Sequence, residues 1–319
     1  MVVKKFNYIR FSIFIIIVIA VISIIIYGSI TIKKNIDYKK TYEYIIMQKG
    51  YSKEEANLLE KKLDKKYIDK LLTFEYSNEY VNFINEKYFI FDNLIKYIEY
   101  KKDNSEYDYS KVIAIINTEA NIDWFDNEKQ TDTSKNELML VNRLYGLNPE
   151  YEVSDIVNIP VKYAYDGKKI SNSILNNIID LISELKDNGY TFVVSDGYRS
   201  YKDQEKLYNS YVNSSGRSEA DKVVARPGHS EYETGLSFDL VPYNKSYDNP
   251  KDSKENKLLR NIAHKYGFIL RFNADKEYIT GFKEYPWRLR YVGIEAATTI
   301  FNENICFEEY YAYYVNGEK

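Results

Sequence analysis

The chain has 319 residues, enough for one sizeable domain with accessory segments, and its 45% hydrophobic and 29% charged residues are ordinary for a globular protein. A formal net charge of −3 provides no general basic field, so no nucleic-acid partner is expected. Cys306 is the only cysteine, which excludes an internal disulfide, a cysteine-based zinc finger and a CxxC redox site.

An uncharged apolar run occupies residues 11–32. Its length matches the ~30 Å of hydrocarbon that a membrane helix must cross. A cleaved signal peptide would have a shorter apolar region and a small-x-small site, and the nearest such site, Tyr27-Gly28-Ser29, is poor. We therefore predict a transmembrane anchor. Basic residues flank both ends of the run, so charge alone does not decide its orientation.

Residues 33–110 have the pattern of amphipathic helices. Ser52 is followed three residues later by Glu55, the spacing of a capping box, and leucines then recur at helical spacing. A second segment, 79–102, has the same character. Neither segment is apolar enough to span a membrane, so we predict a helical stalk or subdomain packed on the C-terminal body of the chain. A groove for a partner's helix is the alternative use of these faces.

The region 111–137 is predicted to form a strand and a linker. KVIAIINTE (111–119) has the apolar composition of a buried strand, and the polar segment 123–137 is typical of a loop. The remaining pattern mixes helices with strands: a helix at 174–190 ending near Gly189, a strand in 191–200, a helix in 254–268 ending at Gly267, and strands at 268–272 and 288–293. This composition predicts an α+β body.

Four motifs in a fixed order carry a family resemblance. They are SDGYRSYKDQEKLYNSYV (195–212), ADKVVARPGHSEYETGLSFD (220–239), KYGFILRF (265–272) and TGFKEYPWRLRYVG (280–293). In this order they resemble the VanY-type D-alanyl-D-alanine carboxypeptidases, zinc peptidases that trim the terminal D-Ala from peptidoglycan stem peptides. The resemblance implies, for 138–315, a small antiparallel sheet with flanking helices, as in D-Ala-D-Ala carboxypeptidases and Hedgehog-like domains.

The resemblance also implies a zinc site, and this chain departs from it. The family pattern S-x-H-x-x-G-x-A-x-D supplies two zinc ligands; here Tyr232 stands at the histidine and Asp239 is kept. The later E-P-W-H supplies the catalytic glutamate and third ligand; here Tyr285 and Arg288 replace them around Trp287. A guanidinium stays protonated and has no lone pair for a metal. We therefore expect no catalytic residue and no bound zinc, with Arg288 paired to Asp239 instead.

Other residues could rescue the metal chemistry. Glu284 precedes the lost base, but adjacent strand residues face opposite sides unless a bulge shifts the register. His229 lies three residues before Tyr232, and its place beside Pro227-Gly228 predicts solvent exposure. His264, near the end of a helix, is expected to be structural.

The residues that the motifs retain point to a ligand pocket. Arg199 matches the family arginine that binds substrate, and the other positions implied to line the cleft are Gln204, Ser230, Asp239 and Trp287. A retained arginine can hold a carboxylate or carbonyl through charge-assisted hydrogen bonds. The alternative is that Arg199 and Arg226 are merely ion-paired and maintain the fold.

These observations predict a single-pass cell-membrane protein with a short cytoplasmic tail (1–10) and an extracytoplasmic bulk. Its predicted role is that of a pseudoenzyme that binds peptidoglycan stem peptide or a cell-wall protein. One alternative is an active metal-dependent D,D-carboxypeptidase with an irregular site of Asp239 and His229 and with Glu284 or Glu233 as base. A second is a structural interaction protein that works through its stalk.

Overall fold

The computed structural model describes residues 8–123, 127–243 and 253–316. The chain divides into two compact units, Met1–Ser110 and Lys111–Lys319.

The first unit begins with a long helix, α1 (Tyr8–Tyr38). Within it, Phe11–Tyr38 is long and apolar enough to cross a membrane by length and composition, and none of its most apolar window is buried. The predicted apolar run is therefore helical, and it is the one candidate span in the part of the chain that the structure describes. Residues 1–7 of the predicted tail lie outside the described residues.

Short helices form the rest of the first unit. They are α2 (Tyr42–Gln48), α3 (Lys53–Lys62), α4 (Lys65–Leu71), α5 (Asn78–Asn85) and α6 (Leu94–Asp103), with a 3-10 turn at Phe91–Asn93. The predicted capping box is confirmed, since Ser52 Oγ accepts from Glu55 N and Glu55 Oε2 accepts from Ser52 N at 2.6 Å. The first predicted helical segment is interrupted where Leu63 and Asp64 adopt extended backbone.

The predicted strand at 111–119 is wrong. Residues 111–117 belong to helix α7 (Tyr109–Asn117), and the five residues from Val112 to Ile116 are all buried. A continuous apolar run carries no period that separates a buried strand from a buried helix. The loop predicted after it contains the two-residue strand β1 (Lys129–Gln130) and a 3-10 segment, Thr133–Leu138. Residues 124–126 of that loop lie outside the described residues.

The second unit is built on a four-stranded antiparallel sheet. Its strands are β5 (Phe192–Asp196), β6 (Ser237–Pro242), β7 (Phe268–Phe272) and β8 (Tyr285–Tyr291), in the order β5-β6-β8-β7. Two smaller pairs accompany it: β1 runs parallel to β2 (Tyr145–Gly146), and β3 (Ile156–Asn158) is antiparallel to β4 (Lys169–Ser171). The predicted α+β class with a small antiparallel sheet is confirmed.

Helices flank this sheet. They are α8 (Asn172–Asp187), α9 (Tyr201–Ser215), α10 (Arg217–Val223), α11 (Lys254–Ile262), α12 (Glu277–Thr280), α13 (Ile294–Glu303) and α14 (Phe307–Tyr310). Further 3-10 segments cover Glu231–Thr234, Ala263–Tyr266 and Ala274–Lys276, and a π-helical turn covers Tyr311–Val315. One face of α8 joins the core through Ile174, Ile178 and Leu181, which meet Phe238 and Leu289 of the sheet. Burial of this apolar surface is the main term that holds helix and sheet together.

Gly267 ends the helical segment that precedes β7, as its position in the sequence predicts. Its φ of +82° is in the left-handed region, and a Cβ there would lie 2.6 Å from the Tyr291 ring. Glycine is therefore required both for backbone conformation and for space. The turn directs the chain into β7, which pairs with β8 and so fixes the strand that carries Trp287 and Arg288.

Candidate functional site

A cleft of about 230 Å³ lies at one end of the four-stranded sheet. The predicted site residues Arg199, Gln204, Ser230, Asp239 and Trp287 all line it, together with the substituted positions Tyr232, Tyr285 and Arg288. Strand β5 leads into the loop that carries Arg199, β6 carries Asp239, and β8 carries Tyr285, Trp287 and Arg288. The ordered motifs of the sequence therefore converge in space.

Arg288 forms an ion pair with Asp239. The two residues are directly opposite each other on β8 and β6, so their side chains share a face of the sheet. Arg288 Nε donates to Asp239 Oδ1 at 2.7 Å, and Nη2 lies 3.4 Å from Oδ2. Burial opposes the charge on Arg288, but the neighbouring Tyr232 and Asp239 hold its pKa above the usual value. The predicted pairing of Arg288 with Asp239 is confirmed.

Tyr232 contacts two guanidinium groups. Its ring centroid is 4.4 Å from Arg288 Cζ and 4.7 Å from Arg199 Cζ, within the range of cation–π attraction. Burial raises the pKa of Tyr232 well above its ordinary value, so the phenol is neutral near neutral pH. The tyrosine at this position therefore packs as a neutral aromatic ring against both Arg199 and Arg288.

These residues do not fit a catalytic zinc ion. Such an ion takes about three ligands from histidine, aspartate or glutamate and keeps one open position for water. Here the three positions hold a neutral phenol, a guanidinium, and a carboxylate already bound to that guanidinium. Within the described ranges, no group of three or more His, Cys, Asp or Glu side chains is arranged to hold a metal.

Glu284 does not replace the lost base. It lies outside the cleft and accepts a hydrogen bond from Arg260 Nη2 at 2.6 Å. The pairing of β7 with β8 contains a register shift between Leu270 and Phe272. Glu284 directly precedes β8, and its bond to Arg260 outside the cleft agrees with the prediction that it does not serve the site.

His229 is buried, so the prediction of solvent exposure is wrong. Its Nδ1 donates to the Asn142 carbonyl at 2.7 Å, and its Nε2 lies 3.2 Å from a Glu128 carboxylate oxygen. Leu147 N donates to the Gly228 carbonyl, and this bond holds the neighbouring His229 against the segment that contains Asn142 and Leu147. Both ring nitrogens have protein partners. His264 stacks on Phe301 with ring centroids 4.0 Å apart, a packing contact consistent with the structural role expected for it.

Arg199 is held by two neighbours. Its Nη2 donates to Asp196 at 2.6 Å and its Nη1 donates to Gln204 Oε1 at 2.7 Å. Gln204 in turn donates to the Ala225 carbonyl at 2.7 Å, so helix α9 and the loop before Arg226 are tied to the cleft. Lys168 also lies 3.6 Å from Asp196. The arginine is thus positioned by fixed partners before any ligand arrives.

Arg226 is ion-paired with Asp221. It forms a two-point ion pair with Asp221 at 2.9 and 2.7 Å, and the same carboxylate accepts from the Tyr208 hydroxyl at 2.7 Å. The alternative that Arg226 maintains the fold is therefore supported, whereas Arg199, which lines the cleft, is both ion-paired and within reach of a ligand.

Two buried features of the site were missed from the sequence. In the wall of the cleft, Arg271 donates to Glu231 at 2.8 Å and to Glu308 at 2.9 and 2.5 Å. Glu233 accepts hydrogen bonds from the backbone N–H groups of Gly228 and Ser230. The Ser230-x-x-Glu233 spacing is that of a capping box and could have predicted the second feature. No local pattern links Arg271 with Glu308.

Glu233 has an unusual protonation equilibrium. Burial raises its pKa to about 7, against the opposing effect of the Gly228 and Ser230 N–H groups and of Arg199. Its carboxylate serves the backbone of the 228–233 turn rather than Asp239 or the cleft lining. It is therefore not placed as a general base.

The chain is similar to a defined family of cell-wall peptidases. The VanY family, described as D-alanyl-D-alanine carboxypeptidase, matches residues 167–294. The protein YodJ of Bacillus subtilis is 34% identical over 184 residues, covering 56% of this chain and 67% of its own length. A D-alanyl-D-alanine carboxypeptidase of Enterococcus faecalis is 31% identical over 201 residues, covering 60% of this chain and 70% of its own length.

Solved structures are also similar to the chain. The LdcB LD-carboxypeptidase, whose structure reveals the molecular basis of peptidoglycan recognition, matches with a TM-score of 0.55 and 32% identity. The match covers 60% of this chain and 93% of that one. A vancomycin-resistance D,D-pentapeptidase VanY solved with Zn(II) is 30% identical, with a TM-score of 0.48, over 55% of this chain and 98% of that chain.

Proposed function

The chain belongs to the VanY D-alanyl-D-alanine carboxypeptidase family, and we propose that it is a non-catalytic member whose cleft binds peptidoglycan stem peptide. The observation that carries the proposal is the ion pair between Arg288 and Asp239. It occupies the positions of two family metal ligands with a cation and its counter-ion. The third position holds a neutral tyrosine, and the position of the catalytic glutamate holds Tyr285.

The cleft is retained although the metal ligands are not. Arg199 is fixed by Asp196 and Gln204 and still lines the cleft, as do Ser230 and Trp287. A fixed guanidinium binds a carboxylate or carbonyl through charge-assisted hydrogen bonds. Trp287 and the neighbouring aromatic rings offer apolar contact to a small side chain. These features support binding of a short peptide without cleavage.

The proposed cellular arrangement rests on the chain's organisation. Residues 11–32 anchor the protein in the cell membrane, with residues 1–10 as a short cytoplasmic tail. Residues 33–110 form an extracytoplasmic helical stalk, 111–137 a connection, and 138–315 the VanY-like domain. The apolar helix α1 supports the anchor, and the family's cell-wall substrate supports an extracytoplasmic domain. A cell-wall protein is the alternative ligand of the same cleft.

The experiment is a binding and turnover assay on the full chain in detergent. Isothermal titration with a stem peptide ending in D-Ala-D-Ala should detect binding, while chromatography should detect no released D-Ala after zinc addition. Arg199→Ala should weaken binding by about tenfold or more, because the cleft loses a charge-assisted hydrogen-bond donor. Absence of binding by the unmutated chain would refute the stem-peptide role, and zinc-dependent D-Ala release would refute the non-catalytic role.

A further inference from the structure

Arg288 has a donor that no described residue of the protein accepts. Its ion pair with Asp239 engages Nε and Nη2. Among residues 8–123, 127–243 and 253–316, no acceptor takes a hydrogen bond from Nη1. The side chain is 22% exposed and lines the cleft. A guanidinium with an unused N–H edge facing a cleft is suited to a carboxylate.

The acidic groups of the cleft already have partners, so they do not cancel this cation. Asp239 is bound by Arg288, and Asp196 lies between Arg199 and Lys168. Glu231, in the cleft wall, is bound by Arg271. Because Asp196 alone serves two cations, the part of the cleft around Arg199 and Arg288 has more positive than negative charge. An anion in the cleft is therefore attracted rather than repelled.

Both guanidiniums are held rigidly. Both contact the Tyr232 ring, at 4.7 Å for Arg199 and 4.4 Å for Arg288, and each is ion-paired, Arg199 with Asp196 and Arg288 with Asp239. A preorganised binding group loses little side-chain entropy when its ligand arrives. Tyr232 therefore helps to hold Arg199 and Arg288 next to each other in the cleft.

We propose that Arg288 is a ligand-binding residue that takes the terminal carboxylate of a peptide in the cleft, so that recognition is independent of any metal. The inference rests on the proposed binding function and specifies which protein group binds which end of the ligand. The Arg288 guanidinium, fixed by Asp239, binds the ligand's terminal carboxylate. The ligand class is a peptide with a free carboxylate and a small apolar last residue, which meets the aromatic wall of Phe282, Tyr285 and Trp287.

The test compares two probes on the full chain: diacetyl-L-Lys-D-Ala-D-Ala and its C-terminal amide. The free acid should bind at least about tenfold more tightly than the amide, since the amide loses the charge and replaces one acceptor oxygen with an NH2 donor. Neither added zinc nor a chelator should change the affinity. Equal binding of acid and amide, or loss of acid binding with the chelator, would overturn the inference while leaving stem-peptide binding intact.

Two variants test whether the preference for acid over amide depends on Arg288. Arg288→Gln leaves Asp239 without its cation, so the double variant Arg288→Gln with Asp239→Asn is measured beside it to keep the local charge balanced. Both should lose the preference for acid over amide and retain circular dichroism of a folded chain. An unchanged preference in the folded double variant would refute the role of Arg288. Failure of the unmutated chain to bind either probe would instead count against the proposed function itself.

Discussion

Arg288 and Asp239 face each other on adjacent antiparallel strands, with Arg288 Nε 2.7 Å from Asp239 Oδ1. Strand register alone brings the two side chains to the same face, where family relatives are expected to bind zinc. The arginine thus leaves Asp239 paired, because it supplies the counter-ion that a metal would have supplied. Asp239 therefore needs no metal to balance its charge.

Breaking this ion pair should destabilise the domain. Arg288→Met leaves Asp239, whose side chain is only 13% exposed, without a partner, at a cost of about 3 kcal/mol. Urea unfolding followed by circular dichroism measures the change. The double variant Arg288→Met with Asp239→Asn should recover most of the loss, because it removes the unpaired charge. Equal stability of the single variant and the unmutated chain would contradict this role of the ion pair.

Restoring the family residues should restore a metal site. The triple variant Tyr232→His, Tyr285→Glu and Arg288→His supplies two histidines beside Asp239 and a carboxylate at the base position. We expect about one tightly bound zinc per chain, measured by elemental analysis. The control is Tyr232→His alone, which keeps the Arg288–Asp239 ion pair and should bind no stoichiometric zinc. Tight zinc in the control would show that the ion pair does not block the site.

Glu233 should make stability depend on pH. Its pKa rises from an ordinary 4.5 to about 7 on folding, so the folded chain holds this proton more tightly than the unfolded chain. The stabilisation is present below pH 4.5 and is lost as pH rises to about 7, a change on the order of 3 kcal/mol. Compared with Glu233→Gln, the unmutated chain should therefore lose stability across this window in urea unfolding. The exposed Glu205→Gln should leave the slope unchanged.

The buried ion pairs of Arg271 with Glu231 and Glu308 should contribute far more to the free energy of unfolding than a surface ion pair. Arg271→Met leaves Glu231 and Glu308 without their main partner, and both are at least 90% buried. The expected loss is about 3–5 kcal/mol in urea unfolding. Lys222→Met breaks an exposed pair with Glu219 and should cost less than about 1 kcal/mol. Similar losses in the two variants would contradict the assigned burial.

The predictable parts of this protein were those fixed by local pattern or by motif order. The Ser52 capping box, the strands at 268–272 and 288–291, and the left-handed Gly267 each depend on a few neighbouring residues. Family membership was predictable from four motifs in a fixed order. The pairing of Arg288 with Asp239 was a hypothesis that followed from the resemblance, which places both residues at zinc-ligand positions, and from their opposite charges.

The predictions that were wrong or missing concern features that depend on contacts between residues far apart in the sequence. Five consecutive residues of helix α7, Val112 to Ile116, are buried, so this apolar run shows neither the helical nor the strand period. His229 is covered because Gly228 bonds to Leu147 and Asn142 supplies an acceptor, contacts separated by about 80 residues along the chain. Glu308 meets Arg271 across the fold, which no spacing in the sequence encodes.

We propose that the ion pair of Arg288 and Asp239 takes the place of a metal in the cleft. The most direct test is the zinc content of the full chain, measured by elemental analysis after incubation with zinc and removal of the excess. Circular dichroism of the same sample shows that the chain is folded. We expect far less than one zinc per folded chain. About one zinc per chain, retained through washing, would contradict the claim.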